Sequence, residues 1–170
     1  MPRQGDYVLN TLFTVRKELL IEVDALSDEQ LNKKPSADKW SVSQVIRHLI
    51  SMDEMILPSL KKAVQQESTK TLEKNLDFVL DRTKKVISPL PEPSAEIISK
   101  KELLKNLTHA RTPLLEYIHE IIDESVIEDK SMIHPLFGPM SIIQMIEFIG
   151  LHEKRHIEQI KEIKDSLLYY

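Results

Sequence analysis

Apolar residues recur at every third or fourth position in four long stretches of the chain, which is the spacing of a helix with one buried face. These stretches predict helices over about 7–25, 42–64, 100–122 and 142–167. In the first stretch the recurring apolar residues are Leu9, Leu12, Phe13, Leu19, Leu20 and Val23. The two-residue alternation of a half-buried strand is not found. The pattern therefore predicts an all-α protein.

Capping residues indicate where these helices begin. A serine followed three positions later by glutamate or glutamine can form a capping box, in which each side chain hydrogen-bonds to the other residue's backbone amide. The sequence has four such boxes, beginning at Ser27, Ser41, Ser99 and Ser141. The last three directly precede long predicted helices. Pro58 and Pro113 fall inside predicted helices, where a missing amide predicts a kink.

A long connection separates the second predicted helix from the third. Its first part, 71–87, is typical of a shorter helix, and its second part, "SPLPEPS" at 88–94, is typical of a stiff proline-rich loop. Four long helices joined by one extended crossover predict a four-helix bundle with a short extra helix between helices 2 and 3. At 170 residues the whole chain, 1–170, is expected to form a single domain.

The composition and net charge limit the class of protein and the kind of metal site. With 41% hydrophobic residues, 29% charged residues and three glycines, the chain is typical of a water-soluble, helix-rich protein. A net charge of -4 does not favour nucleic-acid binding. No apolar signal core and no apolar run near the roughly 20 residues of a membrane span is found, so we expect a cytoplasmic protein. Because cysteine is absent, any metal must be held by nitrogen and oxygen.

Three histidines fall in apolar rows of two predicted helices. His152 and His156 share one row of the fourth helix, formed by Met145, Ile149, His152, His156, Ile160 and Ile163. His48 lies in the corresponding row of the second helix, with Val45, Met52 and Ile56. Imidazoles four residues apart can converge on one ion, and a third from another helix leaves a coordination position open. We therefore predict a divalent metal site formed by His48, His152 and His156, suited to zinc, nickel or iron.

Other interpretations of these residues remain open. A single histidine in an apolar row is more often a hydrogen-bonded core residue than a ligand. The stretch "HEKRH" also matches the His-Glu-x-x-His motif of zinc peptidases, but Glu153 lies about 100° around the helix from His152, as expected of a solvated surface acid. A di-iron bundle would use Glu-x-x-His pairs together with inward glutamates. Its candidates are Glu116 with His119, Glu153 with His156, Glu18 or Glu22, and Glu54.

Several polar residues are candidates for supporting roles near the metal. Gln44 and Gln159 lie about one turn from a proposed ligand and could orient an imidazole. Arg47 and Arg155 flank ligands in sequence and could meet an anionic cofactor or substrate at the pocket lip. His134 precedes a proline in the loop before the fourth helix, so it is expected to be a loop residue that could rim the pocket. His109 and His119 are expected on the surface.

Two long segments, "KWSVSQVIRHL" and "HPLFGPMSIIQMIEFIGLHEKRHIEQI", resemble the DinB/YfiT-like family of metalloenzymes. The matching positions are Trp40, Ser41, His48, His152, His156 and Gln159. This resemblance implies a four-helix bundle of unusual handedness, commonly dimeric, with a divalent metal held by the three histidines. Its better-characterised relatives transfer low-molecular-weight thiols such as bacillithiol and mycothiol. We therefore expect a homodimer that acts on small molecules.

The resemblance and the metal site together predict a metal-dependent S-transferase, in which a low-molecular-weight thiol is the cosubstrate. The thiol must come from outside the protein, because the chain has no cysteine. Two alternatives are a hydrolase that activates water at the same metal and a non-catalytic, stress-related bundle. No residue beyond the three ligands is assigned a catalytic role from the sequence.

Overall fold

In the computed structural model of the chain, the described residues are 4–68, 70–86, 88–123, 127 and 129–168. Five α-helices follow one another along them: α1 (Gln4–Asp24), α2 (Asp28–Asn32), α3 (Val42–Gln65), α4 (Lys100–Asp123) and α5 (Ile142–Leu168). The four long helices agree with the predicted ranges to within three residues at each end. They form a four-helix bundle, so the predicted fold class is confirmed. Within the described residues, no helix combines the length and apolarity needed to cross a bilayer.

The capping boxes explain where two helices begin. Before α3, the Gln44 amide donates to Ser41 Oγ at 3.3 Å, and the Ser41 amide donates to Gln44 Oε1 at 3.1 Å. Ser27 and Gln30 form the same pair before α2. At the other two boxes the serine accepts from the expected amide. The side chain of Gln144, however, reaches away to the backbone of Lys74, at 2.7 and 2.9 Å.

The bundle core is built from helix faces that pack in two pairs, α1 on α5 and α3 on α4. The buried face of α1 consists of Val8, Leu12, Val15, Leu19 and Val23, which follow a helical period. Two residues that the sequence pattern assigned to this face are on the outside, because Phe13 is 54% exposed and Leu20 is 37% exposed. Helices α3 and α4 include Pro58 and Pro113, both of which lie on exposed positions.

A two-stranded hairpin that the sequence pattern did not predict lies between α4 and α5. Strand β1 (Ser131–His134) pairs antiparallel with β2 (Gly138–Ser141), so that His134 is opposite Gly138. Each strand has only four residues, too few for a two-residue alternation to stand out in the sequence. Gly138 has a φ of 68°, the left-handed conformation that glycine adopts without strain. The hairpin lies beside α3 and α5, which places it at the edge of the histidine cluster.

The predicted short helix in the crossover is reduced to one 3₁₀ turn, Asp77–Leu80. Residue 87, the end of that prediction, lies outside the described residues. The reason for the shorter turn is a competition for backbone carbonyls. The Arg155 guanidinium on α5 donates to the carbonyls of Val79, Asp81 and Lys84, at 2.6–2.9 Å. These contacts hold the crossover against α5 in an extended path.

Candidate metal centre

The three predicted ligands meet at one point between α3 and α5. His152 Nε2 lies 3.4 Å from His48 Nε2 and 3.2 Å from His156 Nε2. The ligating nitrogens of all three residues lie within 4.8 Å of one another. His152 and His156 are one turn apart on α5, and His48 faces them from α3. The structure thus brings together the three imidazoles that the apolar rows indicated.

The spacing and charge of these nitrogens fit a divalent cation. Nitrogens bound about 2.1 Å from a common ion are roughly 3.0–3.5 Å apart, which matches the two short separations. Burial lowers the pKa of His48, lowers that of His152 well below its usual range, and lowers that of His156 to about 3. All three rings are therefore neutral at neutral pH. Neutral imidazole is the form that binds metals.

Gln159 orients one of the three histidines. Its Oε1 lies 2.7 Å from His156 Nδ1. Because an amide oxygen can only accept, the proton of this neutral ring is on Nδ1, and the Nε2 lone pair faces the other two histidines. His48 Nδ1 is buried and has no hydrogen-bond partner in the described part of the chain. Its ring packs against Trp40, with centroids 5.5 Å apart.

The histidine cluster opens into a cavity of about 670 Å³, within the range of small-molecule sites. The cavity is bounded by α3, α5, the hairpin, the crossover and the loop between α2 and α3. Its walls are largely apolar, with Trp40, Met52, Met145 and Phe148 among them. Five basic residues also line it: Lys39, Arg82, Lys84, Lys85 and Arg155. A mainly apolar ligand with an anionic group would fit this distribution of charge.

Glu153 corrects the expectation of a solvated surface acid, since it is only 1% exposed. The Arg16 guanidinium donates to both of its carboxylate oxygens, at 2.6 and 3.1 Å. Arg111 donates to Glu153 at 2.7 Å and to Asp53 at 2.8 Å. Burial alone would lower the pKa of Arg111, but the charges of Glu153 and Asp53 outweigh it and raise that pKa. Glu153 is thus one of four residues in a buried ion-pair network.

This network was missed in the sequence, although one signal for it was present. Arg111 occupies a position in an apolar row of α4, between Leu107 and Leu114. A charged residue in such a row requires buried partners of opposite charge. Asp53 and Glu153 do not stand out in this way. Each follows a member of an apolar row in the sequence but is not itself in that row, so the pattern places it on the polar side of its helix.

The structure contradicts both motif alternatives. Glu153 is held by two arginines, so it is not available as the general base of a zinc peptidase. Of the di-iron candidates, Glu54, Glu116 and His119 are exposed. Glu18 and Glu22 pair with lysines of α5 instead. In the described part of the chain, no carboxylate joins the three histidines in a candidate metal cluster.

Of the other polar residues predicted near the metal, two stabilise the backbone of the bundle and one lines the cavity. Gln44 caps α3 and donates to the Pro93 carbonyl at 2.9 Å, so it does not orient a ligand. Arg47 donates to the carbonyls of Ser94 and Glu96, so it binds the segment before α4 and does not line the cavity. Arg155 lines the cavity, but its donors are engaged with the crossover.

The other three histidines are in different environments. His134 is buried at the end of β1 and lines the cavity, so it is more than a plain loop residue. His109 and His119 are exposed on α4, as predicted.

Comparison with known proteins gives a consistent family and fold. The family model described as the DinB superfamily matches residues 11–160. YuaE of Bacillus subtilis, which is named as an uncharacterised protein, is 37% identical over 154 residues, covering 89% of this chain and 94% of YuaE. A protein of Oceanobacillus iheyensis, whose name proposes a metal-dependent hydrolase, is 22% identical over 153 residues, covering 90% of this chain and 81% of that protein.

Two solved structures share the fold at 18% identity. The crystal structure of TT2238, a four-helix bundle protein, matches with a TM-score of 0.63 over 93% of this chain and 98% of that one. YfiT from Bacillus subtilis matches with a TM-score of 0.67 over 98% of this chain and 93% of that one. Its description gives an unusual four-helix bundle topology and proposes a metal-dependent hydrolase.

Proposed function

Because the chain belongs to the DinB superfamily, we propose that it is a metal-dependent enzyme that holds one divalent cation with His48, His152 and His156. The observation that carries this proposal is the convergence of three neutral imidazoles beside a cavity of small-molecule size. Zinc, nickel and iron all suit such ligands. When bound, a divalent cation supplies Lewis acidity, which lowers the pKa of a thiol or a water molecule beside it.

We further propose that the reaction transfers a low-molecular-weight thiol of the bacillithiol type to an electrophilic small molecule. The thiol sulfur forms a bond to an electrophilic carbon, the leaving group departs from that carbon with its electron pair, and the thiol proton passes to solvent. The cavity lysines Lys39 and Lys85 support an anionic thiol as cosubstrate, whereas Arg82 and Arg155 are engaged within the protein. The apolar walls support an apolar second substrate.

Hydrolysis is a second candidate, since the names of two similar proteins propose a metal-dependent hydrolase. The cavity also contains carboxylates. Asp38 and Glu162 are the acids among the described residues that line it. Asp38 accepts from Ser36 at 2.6 Å, and Glu162 is paired with Arg82. Each of these carboxylates is a candidate general base for the activation of water.

The test is to load the purified protein with zinc, nickel or iron and supply bacillithiol with 1-chloro-2,4-dinitrobenzene, whose thioether product absorbs light. We expect thiol-dependent turnover in the wild type and in His109→Ala, an exposed histidine outside the site. The His152→Ala variant should bind no metal by elemental analysis and should react at the rate of a protein-free control.

The same assays separate the alternatives. Turnover of a p-nitrophenyl ester without any thiol would support the hydrolase. A full equivalent of metal with neither activity would contradict an enzymatic role and would favour a metal-binding bundle. Substoichiometric metal in the wild type after metal loading would contradict the metal site itself.

A further inference from the structure

A continuous row of aromatic rings runs from the cavity mouth to the histidine cluster. Phe78, in the 3₁₀ turn, is 42% exposed, and its ring centroid lies 5.0 Å from that of Phe137. Phe137 lies 5.7 Å from Phe148, which lies 5.5 Å from His152. We call Phe78, Phe137 and Phe148 the aromatic wall. Its members come from the crossover, the hairpin loop and α5, so the fold assembles it from three separate segments.

His134 interrupts this apolar surface with one polar group. Its ring lies 4.6 Å from that of Phe137 and 4.5 Å from that of Phe148. The backbone amides of Leu136 and Phe137 donate to His134 Nδ1, at 3.1 and 3.3 Å. Since Nδ1 accepts, the proton of the neutral ring is on Nε2. Burial lowers the pKa of this imidazole, which keeps the ring neutral.

The Nε2–H group of His134 is available to a ligand. His134 lines the cavity, and in the described part of the chain Nε2 has no hydrogen-bond partner. The Nε2 atom is also not fully closed off from solvent. The hairpin therefore presents a donor of fixed position beside flat apolar rings. In small-molecule sites, such a donor fixes orientation while apolar walls supply contact area.

We propose that the aromatic wall binds a planar aryl group of the second substrate, and that His134 Nε2–H donates a hydrogen bond to an oxygen conjugated with that ring. The substrate class is then an aryl compound with a carbonyl or nitro oxygen. A hydrogen bond to such an oxygen withdraws electron density from the ring and makes the aryl compound a better electrophile. This role in the reaction rests on the proposed function. Binding of the aryl group itself requires neither metal nor thiol.

The test compares two ligands of the same shape. Acetophenone has a carbonyl oxygen where α-methylstyrene has a methylene group, so only acetophenone can accept from His134. Trp40 is the single tryptophan of the chain and lines the cavity, so its indole NMR signal reports binding in metal-free protein. The quantity of interest is the ratio of the two dissociation constants.

Two substitutions of His134 separate its roles. In His134→Asn, the amide oxygen can replace Nδ1 as the acceptor for the backbone amides, but no donor remains at the Nε2 position. In His134→Gln, the longer side chain places an amide donor near the Nε2 position. We expect His134→Asn to reduce the preference for acetophenone by about 3- to 10-fold, the effect of one neutral hydrogen bond. His134→Gln should keep most of that preference.

One substitution in the aromatic wall and one outside it test the role of the rings. Phe137→Leu should weaken both ligands by a similar factor, because it removes ring contact but no donor. Tyr7→Leu, at an exposed position of α1 outside the cavity, should leave both dissociation constants unchanged. An unchanged ligand ratio in folded His134→Asn would overturn the role of His134. Absence of binding by both ligands would overturn the aromatic wall, whereas binding without thiol-dependent turnover would contradict only the proposed function.

Discussion

Which ring nitrogen of His156 carries the proton depends on a single side chain, that of Gln159. Its oxygen holds the proton on Nδ1 and leaves Nε2 free for a metal. We expect Gln159→Leu to weaken metal affinity by roughly 10- to 100-fold, because the acceptor that orients the ring is lost. Gln159→Glu keeps an acceptor oxygen and should bind at least as tightly as the wild type. Competition with a chromophoric chelator measures both, and equal affinities for Gln159→Leu and the wild type would contradict this role.

At the level of single residues, the sequence predicts which histidines meet better than it predicts the burial of their neighbours. His48 and His152 stand out because each is polar in an otherwise apolar row. Glu153 was misjudged, since the helical-face argument assumes that only one side of α5 is covered. In the structure α5 packs on α1 and also contacts α3, the hairpin and the crossover turn, so residues beside the main apolar row are buried as well. Three-dimensional packing, which the sequence does not contain, decides that point.

At the scale of elements, the buried ion-pair network joins the four long helices. Its members are Arg16 of α1, Asp53 of α3, Arg111 of α4 and Glu153 of α5. Removal of one partner leaves an arginine buried with too few acceptors. We therefore expect Glu153→Gln to lower the free energy of unfolding by about 3–5 kcal/mol in urea denaturation.

A matched control is available on the same helix. Glu158 pairs with Lys161 at 2.8 Å, but its side chain is 46% exposed. The Glu158→Gln substitution should therefore change the free energy of unfolding by less than about 1 kcal/mol. Similar losses for Glu153→Gln and Glu158→Gln would show that burial does not set the strength of the network.

The hairpin that holds His134 depends on the backbone conformation of Gly138. With a φ of 68° and no heavy atom within 4 Å of an added Cβ, Gly138→Ala would be strained by backbone conformation alone. We expect a loss of about 1 kcal/mol in the free energy of unfolding. Gly138→Asn should lose less, because asparagine tolerates the left-handed region. Urea denaturation of both variants measures the difference, and an equal loss would contradict a conformational cause.

The predicted elements are stabilised by local interactions, whereas the unpredicted ones depend on contacts between distant parts of the chain. The four long helices have their own periodic faces, and three of them also begin at a capping serine, so local pattern is sufficient. The hairpin and the crossover path depend on contacts far apart in the chain, such as Arg155 with the carbonyl of Lys84 and Gln144 with Lys74. Arg155 and Lys84 both line the cavity, so this part of its wall could not be derived from local pattern.

At the scale of the whole molecule, the buried histidines make the stability of metal-free protein depend on pH. Burial lowers the pKa values of His48, His134, His152 and His156 below the ordinary value of 6.5. Below that value the unfolded chain binds protons that the folded chain does not. Stability is therefore fully present above about pH 6.5 and falls as the pH is lowered, by up to about 1.4 kcal/mol per pH unit for each histidine.

One variant and one control test this linkage. His156 has a folded-state pKa of about 3, so it should contribute across the widest range of pH. In chelator-treated protein, His156→Gln should have a shallower dependence of unfolding free energy on pH between 6.5 and 4.5. His109→Ala should keep the wild-type slope, because His109 is exposed. Equal slopes for wild type and His156→Gln would contradict the linkage.

The outer face of α1 supports the proposal of a homodimer. Phe13, Leu20 and Ile21 are 54%, 37% and 62% exposed and lie within about 100° of one another around α1. Burial of such a patch against a second copy would remove apolar surface from water. We expect light scattering to give twice the chain mass of 19.7 kDa for the wild type, and the mass of one chain for Phe13→Lys. Ile97→Lys, at an isolated position of the crossover that is 88% exposed, should remain dimeric, and a wild-type monomer would contradict the proposal.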